Sequence, residues 1–141
     1  MKKISIVLAD DNKLVRSGYK KILHLEDDFE VVGEAKNGRE AVAMVHKFRP
    51  AIVLMDITMP VLNGLEAMRQ VLEVMPSTNV IILSAHSEDV YVEEAIKSGA
   101  RGYLIKQTSA HNVCWAIREI HNGNTFFSRS IPSRLHKRNR K

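Results

Sequence analysis

Residues 50–64 read Pro-Ala-Ile-Val-Leu-Met-Asp-Ile-Thr-Met-Pro-Val-Leu-Asn-Gly, and the run Ile52 to Asp56 inside them decides the fold. It is continuously apolar, as a strand covered on both faces must be, and it closes on a carboxylate. Four more short runs rich in β-branched residues read as strands: Ile4 to Ala9, Glu30 to Ala35, Val80 to Ser84 and Gly102 to Lys106.

Longer stretches of helical period separate these runs. Val15, Gly18, Tyr19 and Ile22 share one helical face, as do Ala41, Val42, Val45 and Phe48, and then Leu65, Met68, Leu72 and Met75. Val92, Ala95 and Ile96 mark a fourth helix, with Ser87 as its N-cap, Glu88 and Asp89 in its first turn, and Gly99 at its end. Val113, Ala116, Ile117 and Ile120 mark a fifth, stopping near Asn122-Gly123. Five strand-then-helix units with short connections predict an α/β fold: an open parallel sheet, doubly wound, with right-handed crossovers and helices on both faces.

In such a sheet, ligands bind beyond the carboxyl ends of the strands, where the strand order reverses. The residues there are Asp10-Asp11, Asp56, Ser84 and Lys106. Three carboxylates brought together repel one another unless a cation lies among them. Mg²⁺ suits such a set, because it takes oxygen ligands, keeps waters and commonly binds a few carboxylates together with phosphate oxygens. A carboxylate can also be the nucleophile that accepts a phosphoryl group, with Lys106 and Mg²⁺ neutralising charge and the Ser84 hydroxyl donating a hydrogen bond.

In order and spacing, Ala9-Asp10-Asp11, Leu54 to Pro60, Asn63-Gly64, Ser84-Ala85 and Tyr103-Leu104-Ile105-Lys106 resemble the receiver domains of two-component response regulators. The likeness spans roughly residues 3 to 123. It implies a flavodoxin-like (βα)5 sandwich with strand order 2-1-3-4-5. It implies that Asp56 is the phosphoacceptor, that Asp10, Asp11, Asp56 and the backbone carbonyl of Thr58 hold Mg²⁺, and that Ser84, Lys106 and Tyr103 form the phosphate-sensing switch. Thr58 and His86 flank the expected phosphoryl position and would set how quickly water removes the group. A sensor histidine kinase is the implied phosphoryl donor, with homodimer formation on phosphorylation.

Residues 99–106, together with the helix ending at Gly123, are similar to receivers joined to LuxR-type DNA-binding domains. On this reading residues 1–123 are the receiver and 124–141 a basic tail leading to an output domain through which DNA would be bound. Two departures stand out. Gln107 follows the lysine where Asp or Pro is more usual, leaving the geometry of that peptide bond open, and a histidine stands two residues after Ser84.

Composition narrows the remaining classes. The formal net charge of +5 lies in the tail, because Arg129, Arg134, Lys137, Arg138, Arg140 and Lys141 supply six positive charges and the rest of the chain sums to −1. Attraction to nucleic acid therefore belongs to the tail and not to the folded body. Cys114 is the only cysteine, which excludes an intrachain disulfide, and no apolar run reaches the roughly 20 residues that span a bilayer. A cytoplasmic protein with no membrane segment is the expectation. The six histidines show no paired ligand spacing with cysteines or acids.

No G-x-x-x-x-G-K-[ST] or G-x-G-x-x-G motif follows any strand, which sets a nucleotide-binding module aside. A haloacid-dehalogenase-type phosphohydrolase needs a second Asp two residues after its nucleophile, and that position is Thr58. Without this general acid, self-phosphorylation and slow self-hydrolysis are expected in place of enzymatic turnover. The alternative is a pseudo-receiver that docks or dimerises without phosphorylation. Trp115 falls off the apolar face of the fifth helix, beside His111 and Arg118. It is expected to be partly exposed there, either as a partner surface or covered by Phe126 and Phe127.

Overall fold

The computed structural model describes residues 3–85, 89–106 and 108–127, with the Asp89 side chain left out. It contains β1 (Ile4–Ala9), α1 (Lys13–His24), β2 (Phe29–Ala35), α2 (Gly38–Phe48), β3 (Ile52–Met55), α3 (Gly64–Val74), β4 (Asn79–Ser84), α4 (Asp89–Lys97), β5 (Gly102–Ile105), α5 (Ala110–His121) and β6 (Phe126–Phe127). All strands pair in parallel, in the order β2-β1-β3-β4-β5-β6. The first five keep the expected flavodoxin-like order 2-1-3-4-5, which reverses between β1 and β3.

The sixth strand corrects the expectation of tail from residue 124. Phe126 and Phe127 lie opposite Gly102 and Tyr103, and the Phe126 amide donates to the Arg101 carbonyl at 3.1 Å. Two residues are too few to show a period, so the strand exists because the edge of β5 offers unpaired backbone groups. The rest of the basic tail, residues 128–141, lies outside the described residues, as do Ser87 and Glu88.

The sheet separates two cores, and alternate strand residues enter each, as the two-residue strand period requires. Val7, Ala9, Val53, Met55, Val80, Ile82 and Tyr103 pack with Ala41 and Val45 of α2, Ala67, Met68 and Val71 of α3, and Val92, Ala95 and Ile96 of α4. Ile6, Leu8, Ile52, Leu54, Ile81, Leu83 and Leu104 pack with Leu23 of α1 and with Val113, Ala116, Ile117 and Ile120 of α5. Burying one such aliphatic side chain stabilises by about 1.5–3 kcal/mol, so β1, β3 and β4 form the rigid centre that carries the site.

Helix starts are fixed by short polar side chains that accept backbone N–H groups: Asn12 for α1, Asn37 for α2, Asn63 for α3 and Ser109 for α5. Gly64 opens α3 where the chain passes closely over the end of β3 at Asp56. Its amide donates to the Ile57 carbonyl at 2.7 Å, and a β-carbon there would collide with the Asp56 carbonyl oxygen. Gly99 ends α4 region with φ +108°, a left-handed conformation costly for other residues.

On α1 the expected apolar face does turn inward, with Tyr19 and Ile22 packed against the core that holds Leu23. Leu23 is buried and Tyr19 half-buried, whereas Gly18 is exposed and Leu14 and Leu25 stand in solvent. Polar anchors also hold this helix. The Arg16 guanidinium donates to the Asp10 carbonyl and to Glu34, and the Tyr19 hydroxyl donates to the Lys106 carbonyl.

Candidate functional site

β1 and β3 end side by side, with Ala9 opposite Met55, so the residues that follow them, Asp10, Asp11 and Asp56, meet at the carboxyl edge of the sheet. The Asp56 amide donates to the Ala9 carbonyl at 2.9 Å and locks the two strand ends together. Asp10 and Asp56 are buried and Asp11 is exposed, and one ligand atom from each lies within 4.8 Å of the others. Among the described residues this is the one group of acids, histidines or cysteines with a metal-binding arrangement.

Lys106, at the end of β5, reaches back across β4. Its ammonium is 3.2 Å from Asp10 Oδ2 and 3.4 Å from Asp56 Oδ2. The Lys106 amide donates to the Ser84 carbonyl at 2.8 Å, which ties the lysine to the last residue of β4. Ser84 itself is buried, and Tyr103, on the same strand as the turn that bears Lys106, is fully buried in the core beneath α4.

Electrostatics follow from this packing. Burial raises the Asp56 carboxyl above its ordinary range. Lys106 opposes that shift and the Asp10 charge adds to it. Burial also pulls on the Lys106 ammonium in the direction of deprotonation, but Asp56 and Asp10 together more than offset it, leaving its pKa above the ordinary value. One ammonium shared between two buried carboxylates, with a third at the rim, leaves the cluster short of positive charge. All-oxygen donors, an unmatched double negative charge and an open rim at Asp11 fit a hard divalent cation such as Mg²⁺.

Thr58 is exposed at the mouth of the site, where its observed link is its amide, which donates to Asp56 Oδ1 at 3.3 Å. His86 and Gln107 lie outside the described residues, and with them the expected histidine at the site and the geometry of the peptide bond after Lys106. Three participants were not read from the sequence. Asn12 caps α1 while its own amide donates to Asp10 Oδ1 at 2.8 Å, Arg16 holds the Asp10 carbonyl, and Tyr19 holds the Lys106 carbonyl at 2.9 Å. A tyrosine on an inward helix face was the available signal for the last, because a buried phenol seeks a hydrogen-bond partner.

Away from the site, Trp115 is 51% exposed, so Phe126 and Phe127 do not enclose it, and His111 is exposed as well. Arg118 departs from the expected partner surface. Its guanidinium bonds Asp28 at 2.8 and 2.9 Å and Glu26 at 2.6 Å, and lies 4.7 Å from the Phe29 ring centre. It clamps α5 to the α1–β2 turn, across 90 residues of sequence. No described helix is long and apolar enough to cross a membrane.

Comparisons with known proteins identify the family. Residues 6–118 match the response regulator receiver domain family. The chain is 39% identical over 139 residues to the transcriptional regulatory protein DegU of Brevibacillus brevis, covering 99% of this chain and 59% of that protein. It is 34% identical over 135 residues to the response regulator protein VraR of Staphylococcus saprophyticus, covering 96% of this chain and 65% of that one. The chain thus spans about three fifths of the length of these curated relatives.

Among solved structures, it superposes on the signal receiver domain of NarL from Mycobacterium tuberculosis with a TM-score of 0.85 at 31% identity, covering 88% of this chain and all of that one. A LuxR-family two-component response regulator from Aurantimonas sp. gives 0.90 at 28% identity, covering 99% and 100%. Sheet order, an acidic cluster at the β1 and β3 ends with a lysine from β5, and a family match over most of the chain lead to one statement: the chain belongs to the response regulator receiver domain family of two-component systems.

Proposed function

We propose that the chain is a phosphorylation-driven switch in which Asp56 takes a phosphoryl group from a sensor histidine kinase. The observation that carries this reading is a buried Asp56 carboxylate with Asp10 and Asp11 ligand atoms within 4.8 Å and the Lys106 ammonium at 3.4 Å. A carboxylate oxygen of Asp56 attacks phosphorus, a P–O bond forms, the P–N bond of the phosphohistidine breaks, and its electron pair returns to the imidazole. Asp10, Asp11, Asp56 and the Thr58 carbonyl would hold Mg²⁺. When bound, that ion supplies positive charge for the phosphoryl oxygens.

The chain's own residues do the rest. Lys106 neutralises charge from the β5 side, and the Ser84 hydroxyl moves toward the phosphoryl oxygens. Tyr103, already buried, transmits that movement to the face formed by α4, β5 and α5, where partner or dimer contacts change. Thr58 and His86 tune the rate at which water removes the group. The chemistry is self-phosphorylation and slow self-hydrolysis, without turnover of a separate substrate.

The relatives named as transcriptional regulators support an output through DNA binding by an attached or partner domain, and we place this switch in the cytoplasm. The test is intact-protein mass after incubation with acetyl phosphate. A Mg²⁺-dependent gain of one phosphoryl group that is lost in Asp56→Asn supports the reading. No gain under any condition sinks it in favour of a docking module that works without phosphorylation.

A further inference from the structure

The polar backbone groups of Lys106 are held from two sides. Its amide donates to Ser84 of β4, and its carbonyl accepts the Tyr19 hydroxyl of α1 at 2.9 Å, from 87 residues away. The Thr108 amide closes the same turn by donating to the Ile105 carbonyl at 2.8 Å. From the backbone so fixed, the side chain spans to Asp10 and Asp56 at 3.2 and 3.4 Å.

Tyr19 is built into the site on both of its sides. It borders a cavity of about 10 Å³ beneath the carboxylates, shared with Asp10, Arg16 and Asp56, and an open pocket of about 310 Å³ shared with Leu14, Gly18, Lys106 and Thr108. Its helix cannot easily turn away, because Asn12 and Arg16 of the same helix engage Asp10. A phenylalanine would fill the same space on the apolar face, so the hydroxyl is the part that packing alone does not require.

We propose that Tyr19 is a positioning residue for the phosphoryl-transfer site: its hydroxyl fixes the Lys106 carbonyl and thereby sets where the Lys106 ammonium stands relative to Asp56 and Asp10. This rests on the phosphoacceptor reading of Asp56 for its consequence, but not for its geometry. A lysine tethered only at its amide would sample more of the space above the carboxylates and meet the incoming phosphoryl group less often in the reactive arrangement.

The experiment compares wild type, Tyr19→Phe, Lys106→Met and the double variant. Lys106 carbonyl and Nζ resonances are recorded by NMR without phosphodonor, and acetyl-phosphate labelling rates are measured at saturating Mg²⁺. Tyr19→Phe is expected to shift both Lys106 resonances and to slow labelling about fivefold, the scale of one hydrogen bond, with the acetyl-phosphate concentration dependence unchanged. In the Lys106→Met background the same substitution should change the rate by less than about twofold, since a hydroxyl acting through the lysine has nothing left to position.

Unmoved Lys106 resonances, or an equal fivefold loss with and without the lysine, would overturn the proposal and leave Tyr19 as packing. If wild type takes no label, the phosphoacceptor reading fails on its own, and the Lys106 resonances then decide whether Tyr19 positions the lysine.

Discussion

Replacing Lys106 with methionine should tighten Mg²⁺ binding while weakening the response to phosphorylation, an opposition that follows from where the ammonium sits. It stands 3.2 Å from Asp10 and 3.4 Å from Asp56, so it competes for the carboxylates that a divalent cation would use. At a separation of about 4 Å, a unit charge and a divalent ion repel by about 2 kcal/mol even with water-like screening. Removing the lysine should therefore lower the Mg²⁺ dissociation constant at least about tenfold.

Methionine keeps much of the volume, but it leaves two buried carboxylates without their cation, and the metal-free variant should be less stable by about 1–3 kcal/mol. The assay is thermal unfolding across a Mg²⁺ titration, analysed by mass-action linkage, for both proteins. The variant should begin lower and gain more from the ion. An equal or smaller gain than wild type would refute the electrostatic reasoning, whatever happened to labelling.

Two other predictions concern the frame around the site. Arg118→Met should cost about 1–2 kcal/mol at neutral pH, discounted for the partial exposure of the clamp, while leaving labelling intact. Because the Arg118 hydrogen bond lowers the Asp28 carboxyl below its ordinary value, that contribution is present above the unfolded carboxylate pKa and is lost as pH falls through the folded one. Urea unfolding from neutral pH into the acid range should show the two proteins converging, and a difference that grows with acid would contradict the clamp. Gly64→Ala must push α3 off the Asp56 carbonyl, so it should lower the unfolding midpoint and slow labelling together, and a variant with unchanged labelling would show that the loop yields without moving Asp56.

What could be read from the chain, and what could not, divides along physical lines. Ile52 to Met55 is legible because a strand covered on both faces must be apolar at successive positions, and the carboxylate after it is legible because parallel strands end on one edge. The acidic cluster follows from those ends, and β1 and β3 do bring Asp10, Asp11 and Asp56 together.

The polar anchors of α1 were hidden because a period counts apolar residues, whereas Arg16 and Tyr19 hold the helix by hydrogen bonds to residues far along the chain or outside any pattern. Arg118 reads as surface charge until Asp28 and Glu26 come within reach through the fold. β6 has two residues and carries no period of its own.

The central claim is that a phosphoryl group is carried covalently by Asp56, and borohydride reduction of the labelled protein tests it at the residue itself. Reduction converts an aspartyl phosphate to homoserine, so peptide mass spectrometry after acetyl-phosphate labelling with Mg²⁺ should find homoserine at position 56 and aspartate at positions 10 and 11. A stable label on a histidine, or homoserine at another aspartate with position 56 unchanged, would contradict the account.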